Sequence, residues 1–148
     1  MPIKTFRGLL ADGGQDQISL EGSPSNIGYR IVKFQLLAID GNTAYEGTVQ
    51  IFKAVRAAIP AEIDMSDSTL LAAAVIQQSV STQGGFIDTV IFDKETVNQD
   101  IFIMHDEKSA GAGNAVNYYI ELEEVRMSDG ESAVVNFNAA LEHTSTAV

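Results

Sequence analysis

The chain has 148 residues, no cysteine and no tryptophan, and nine basic residues against twenty acidic ones give it a net charge of −11. A chain of this length forms one domain whose hydrophobic core is large enough to be stable without covalent or metal cross-links. The lack of cysteine excludes disulfides, thiolate metal sites and thiol nucleophiles. The shortage of lysine and arginine, with no basic cluster, argues against direct binding of nucleic acid. Such acidity typically keeps a protein soluble. The alternative is that the acidic surface is complementary to a basic surface on a partner.

Membrane contact is not expected either. The longest apolar run, 70–76, is too short to cross a bilayer, and no apolar stretch of signal-peptide length follows the first charged residues. We therefore expect the protein to remain in the cytosol where it is made, or in something assembled there.

Short strand-like segments separated by turn residues follow one another along the whole chain. Strands are predicted at 5–10, 17–20, 28–39, 47–55, 70–78, 89–92, 99–105, 117–125 and 132–139. The segment 70–78 is ambiguous, because its alanines and leucines suit a helix that Ser66 or Ser68 could cap. Val75 and Ile76 are typical of a buried strand, and we favour the strand.

Three of these segments alternate between apolar and polar residues, which places one face in a core and the other in water. The residues predicted to face the core are Val32, Phe34, Leu36, Val49, Ile51, Tyr118, Ile120 and Leu122. Those predicted to face outward are Lys33, Gln35, Thr48, Gln50, Tyr119, Glu121 and Glu123. The last three are the candidate interaction face, with Tyr119 expected to cover the stems of neighbouring cations.

Apolar faces of this kind must be covered, and two packed sheets are the common solution. The predicted fold is therefore all-β, a two-layer antiparallel β-sandwich of about eight strands with a jelly-roll-like arrangement. One domain spans 1–148, with short flexible ends at about 1–4 and 143–148.

Candidate catalytic and metal-binding groups are few. His105 and His143 are the two histidines, and His105 stands beside Asp106 and Glu107 without the spacing of a metal site. The oxygen-rich stretch around Asp64 and Asp67 lacks the ligand spacing of a calcium loop and is interpreted as a turn capped by short polar side chains. We predict no catalytic residue, no metal, no cofactor and no enzymatic activity.

Three blocks of sequence, taken together, resemble a family of small virion structural proteins of marine tailed bacteriophages. They are Ile27–Gln35, then Val90–Asp93 with Asn98–Ile101, then Asn117–Glu123. The resemblance extends from about Gln17 to Met127, whereas the ending from Ser132 departs from the more basic ending of the relatives.

The resemblance implies a non-enzymatic virion protein, assembled in the bacterial host cytoplasm. The expected role is a minor capsid or decoration (cement) protein that binds the major capsid protein and stabilises the outer shell against internal DNA pressure. A trimer is the favoured homo-oligomer. Two alternatives remain: a tail, fibre-base or adaptor component, and, from another class, a carbohydrate-binding adhesion module.

Overall fold

The structure, a computed structural model, describes residues 2–20, 26–40, 44–78, 86–108, 113–128, 130, 131, 133–135 and 138. Its eight strands are β1 (Ile3–Leu10), β2 (Gln15–Ile18), β3 (Ile27–Ala38), β4 (Tyr45–Phe52), β5 (Leu70–Gln78), β6 (Phe86–Phe92), β7 (Ile101–Glu107) and β8 (Val116–Arg126). Sheet A has the order β1-β8-β3, and sheet B has the order β2-β7-β4-β5-β6. The predicted all-β sandwich is confirmed.

The strand pairing follows the wrapping of a jelly roll. β1 pairs with β8, β2 with β7 and β4 with β5, all antiparallel, as in a long ribbon folded back on itself. The ribbon then curls, so that β3 pairs with β8 and β4 with β7. β6 pairs with β5 and only touches β3, with no hydrogen-bonded ladder between these two described strands. This wrapping leaves a three-stranded sheet whose two outer strands, β1 and β3, are both edges.

Side chains from the inner faces of both sheets form the core, and seven of the eight residues predicted for it are buried. They are Phe34, Leu36, Val49, Ile51, Tyr118, Ile120 and Leu122. Tyr118 lies over Gly8 on the neighbouring strand, where a side chain on Gly8 would collide with the ring, and its hydroxyl reaches Asp16 of β2 at 3.0 Å. Tyr118 therefore connects the two sheets at one corner.

The prediction for Val32 is wrong, because the alternation of β3 shifts by one residue in the middle of the strand. The pairing register with β8 breaks between Ile31 and Lys33, and Val32 sits in this bulge, partly exposed. Ile31, 2% exposed, takes its place in the core. A bulge inserts one residue and so reverses which side of the strand faces inward.

The predicted exposure of Gln50 to water is also wrong, because the residue is buried. It does lie on the outer face of β4, but the segment after the strand crosses over it. The Gln50 amide donates hydrogen bonds to the carbonyl oxygens of Pro60 and Glu62, at 3.3 Å each. A covering loop therefore closes part of the outer face of sheet B.

The ambiguous segment 70–78 is strand β5. It lies between β4 and β6, with the inward-facing Ala72, Ala74 and Ile76 in the core. Neither of its candidate caps holds a helix, because Ser66 instead hydrogen-bonds to the Asp64 carboxylate. Pairing on both sides overrides the modest helix preference of the alanines.

The predicted closing strand 132–139 is wrong. The described residues of this stretch, together with Gly130 and Glu131, are helical, and Val134 is 59% exposed. The Glu131 amide donates to the Ser128 hydroxyl at 3.3 Å. Ser128 and Glu131 have the Ser-x-x-Glu spacing of a capping box, which starts a helix.

Residues 79–85 and 109–112 lie outside the described residues, as does the predicted flexible end at 143–148 with His143. At the other end β1 begins at Ile3, inside the range expected to be a flexible end, and Ile3 pairs with Glu123.

Candidate interaction face

The candidate residues Tyr119, Glu121 and Glu123 lie on β8, the central strand of sheet A, and point away from the core. The neighbours on the edge strands are set by the register. Across the sheet the rows are Arg7–Tyr119–Gln35, Thr5–Glu121–Lys33 and Ile3–Glu123–Arg30. The acidic strand is thus flanked on both sides by strands that carry cations.

Two of the three candidates are engaged with these neighbours. Arg30 donates from Nη2 and Nε to one oxygen of Glu123, at 2.9 and 3.0 Å. Tyr119 donates its hydroxyl to Glu121 at 2.6 Å, and this hydrogen bond raises the pKa of the tyrosine. The Lys33 ammonium lies 5.7 Å from the centre of the Tyr119 ring, as expected for a ring that covers a cation. The face is a cross-strand charge network on one sheet and not a free acidic surface.

A groove lined by both polar and apolar side chains crosses the same face next to this network. Leu9 of β1 and Leu37 of β3 stand on either side of Asn117, and they are 58% and 67% exposed. The groove encloses about 800 Å³, and the row formed by Arg7, Tyr119 and Gln35 bounds it on one side. Large exposed apolar side chains beside paired charges are typical of a protein contact surface.

Sequence analysis missed this groove, although the sequence carries a signal for it. Outward positions of β3 run from Lys33 and Gln35 to Leu37, and Ile39 continues the same parity just beyond the strand. Leu37 and Ile39 are apolar at positions where the alternation predicts polar, solvent-exposed residues. Such a break in the alternation indicates either a covered surface or a contact.

The other polar centre of the fold surrounds His105, which is fully buried between the sheets. Its ring stacks on Tyr45, with ring centres 5.7 Å apart and planes 13° from parallel. Nδ1 lies 3.1 Å from the carbonyl oxygen of Ala11, which can only accept, so Nδ1 carries the proton and Nε2 accepts the Tyr45 hydroxyl in a short hydrogen bond. Both nitrogens are thereby used, which leaves no lone pair for a metal.

Carboxylates around this pair hold neighbouring loops. Glu107 accepts hydrogen bonds from the backbone of Asn114 at 2.7 Å and of Glu46 at 3.3 Å, while Asp12 accepts from the Glu107 amide at 2.9 Å. Burial, reinforced by the charges of Glu107 and Asp12, raises the pKa of Tyr45. The arrangement keeps the phenol protonated and the turn before β2 closed, which is a structural task.

The oxygen-rich stretch consists of two local turns, as the sequence predicted. One Asp64 oxygen accepts the amide and hydroxyl of Ser66, at 3.0 and 2.6 Å. One Asp67 oxygen accepts the amide and hydroxyl of Thr69, at 2.8 and 2.6 Å, and Arg56 pairs with the other. These hydrogen bonds lower the pKa of Asp64 and offset the effect of burial on Asp67, whose pKa is also lowered.

Within the described ranges no group of three or more histidines and carboxylates is arranged to hold a metal ion. Nor does that part of the chain include a helix long and apolar enough to span a membrane. Comparison of the sequence with family models and with curated proteins finds no match.

Proposed function

We propose that the protein is a non-enzymatic structural subunit of a tailed-bacteriophage virion, and specifically a decoration or cement protein of the outer shell. In this role it binds the major capsid protein in many copies and adds contact area across the joints between shell subunits. Assembly would take place in the bacterial cytoplasm, with the protein ending in the particle.

The observation that carries the proposal is the outer face of sheet A, where a groove with two exposed leucines adjoins a charge network. Leu9 and Leu37 expose apolar surface to water, and this exposure does not stabilise a free monomer. The network around Tyr119 fixes the polar border of that surface. A surface of this kind can hold a partner without chemical change.

The three blocks that resemble phage virion proteins also support the proposal by their position. The first is mostly β3 and the third lies in β8, and these strands pair along their length. The segment between the two parts of the second block is pinned to β3, because Tyr29 and Val97 exchange backbone hydrogen bonds of 2.7 and 2.8 Å. Two of the three blocks therefore lie on sheet A, while the parts of the second block lie in β6 and at the start of β7, in sheet B.

Deleting the gene in the phage that encodes the chain tests the proposal. We expect wild-type particles to contain the protein in a fixed ratio to the major capsid protein, measured by quantitative mass spectrometry. Particles without it should release DNA at a lower temperature. Absence from purified particles would refute the proposal, and a ratio of about a dozen copies or fewer per particle would favour the tail or adaptor alternative, because tail rings have few subunits.

A carbohydrate-binding module is the second candidate, and the groove favours it in one respect. Tyr119, Asn117 and Arg7 line the groove and could stack on and hydrogen-bond to a sugar. The Lys33 ammonium over the Tyr119 ring competes with such stacking. Binding on a glycan array that disappears in Tyr119→Ala would support this function over the first.

A further inference from the structure

The two sheets carry opposite net charge, which the overall acidity hides. The three strands of sheet A hold five cations and three carboxylates, so that 5 − 3 = +2. Among the residues of sheet B whose side chains are described there are four carboxylates and no cation, for −4. The charged residues of sheet A are Lys4, Arg7, Arg30, Lys33, Arg126, Glu121, Glu123 and Glu124, and those described for sheet B are Asp16, Glu46, Asp106 and Glu107.

The cations of sheet A are not all neutralised locally. Arg30 pairs with Glu123, and Lys33 lies over the Tyr119 ring. Arg7 forms no ion pair with a carboxylate among the described residues and lies in the wall of the groove, next to the exposed Leu9. The groove thus presents an uncompensated guanidinium beside two exposed leucines.

From this arrangement we propose that the outer face of sheet A, centred on Arg7, Leu9 and Leu37, is the docking face for a carboxylate-bearing protein surface, and that sheet B faces solvent. The inference rests on the proposed function and assigns its contact face: the partner is the shell subunit, with carboxylates around an apolar patch. Complementary charge would set the orientation, and the groove with its two exposed leucines would supply the contact area.

A second copy of the chain is a poorer occupant than a different protein. Two molecules of charge −11 repel each other, which disfavours a contact between two copies through this face. The acidic surface that could attract sheet A is sheet B, which lies on the opposite side of the sandwich. Contacts through opposite faces repeat without closing, which gives open filaments and not a bounded particle component.

The size of the face indicates how it would be used. Three strands spaced about 4.8 Å apart and roughly eight residues long cover on the order of 400 Å². A stable complex buries about 800 Å² on each partner, so one such contact is weak by itself. Many copies held on a repeating shell would gain strength from avidity or from contacts to neighbouring subunits.

The test uses purified particles from the gene deletion and measures binding of added protein by cosedimentation. Leu37→Asp and Arg7→Glu alter the proposed face at exposed positions, so the fold should persist, which circular dichroism and melting verify. Val75→Asp is the matched control for the first, because Val75 is 47% exposed on the outer face of sheet B. Lys94→Glu, exposed on the segment after β6, has the same charge change as the second.

We expect each variant of sheet A to raise Kd at least about tenfold and each control to leave it within about twofold. Binding should also weaken with added salt, because exposed charges are screened. Unchanged binding of both sheet A variants, or an equal loss in Val75→Asp, would overturn the assignment while the proposed function stands. If the wild-type protein self-associates and Leu37→Asp abolishes this, the partner of the face is a second copy of the chain and not the shell subunit. Failure of the wild-type protein to bind the particles would refute both the proposed function and the assigned face.

Discussion

Replacing Ile31 or Val32 by alanine distinguishes between two registers of β3. One is the bulged register of the structure, and the other is the register that uninterrupted alternation predicts. Ile31 is buried in the core cluster, whereas Val32 sits in the bulge with part of its side chain in water. Ile31→Ala removes three carbons, worth about 0.8 kcal/mol each on transfer to water. The cavity left behind adds to this, so we expect a loss of about 3 kcal/mol, within the roughly 2–5 kcal/mol range of such truncations.

Val32→Ala removes two carbons that are already partly hydrated, so the expected loss is about 1 kcal/mol or less. Both residues are β-branched, and the loss of strand propensity on replacement by alanine is therefore similar in the two variants. For a domain of this size each kcal/mol lowers Tm by about 2–4 °C, which places the Ile31 variant about 6–12 °C below the wild type.

Thermal and urea unfolding of the two purified variants measure the difference. The comparison requires the same m value in both, since a change in m would mean a change in the unfolded state. If Val32→Ala lowers the free energy of unfolding as much as Ile31→Ala or more, the bulge is refuted and β3 alternates without interruption.

Three further predictions concern polar groups. Replacing Glu121 and Glu123 together by glutamine should change the free energy of unfolding by less than about 1 kcal/mol, since an ion pair at the protein surface contributes little even when it is partly covered. Loss of a cooperative melt would refute their outward orientation. Tyr45→Phe leaves the buried histidine nitrogen without its donor and should cost about 1–3 kcal/mol in urea unfolding, and a neutral result would contradict the hydrogen bond. Burial and the hydrogen bond to a carboxylate raise the pKa of Tyr118 from 10.0 to about 12, so the unfolded chain loses this proton first and stability falls as the pH rises from 10 towards 12. Tyr118→Phe should show a shallower fall over that range in pH-dependent melts, and equal slopes would contradict the shift.

Much of the fold could be predicted from local pattern because most strands alternate regularly. The run around Tyr118 and Ile120 gives the correct inner face, since the extra residue of the bulge lies on β3 and the alternation of β8 itself is unbroken. Val32 could not be placed, because a bulge in β3 depends on how the strand fits its partner and leaves little trace in a single sequence. Ser128 and Glu131 did carry a readable signal for the helix, which the apolar alternation after them obscured.

The candidate interaction face was predictable only in part. The outward position of Tyr119 followed from alternation, but its cation neighbours come from β1 and β3, which are far away in sequence. The overall charge of −11 was interpreted as favouring solubility, with a basic partner as the alternative, whereas the sheet with exposed leucines carries a positive balance. Net charge is a sum over surfaces, and only the strand order shows how that sum divides between the two sheets.

The most direct measurement is a cryo-EM map of the intact particle with this chain located in it. We expect density for the chain on the outer shell, with Arg7, Leu9 and Leu37 buried against carboxylate-bearing residues of the capsid subunit and sheet B turned to solvent. A chain that contacts the shell through Val75 and the rest of sheet B, or a particle with no such chain, would contradict this expectation.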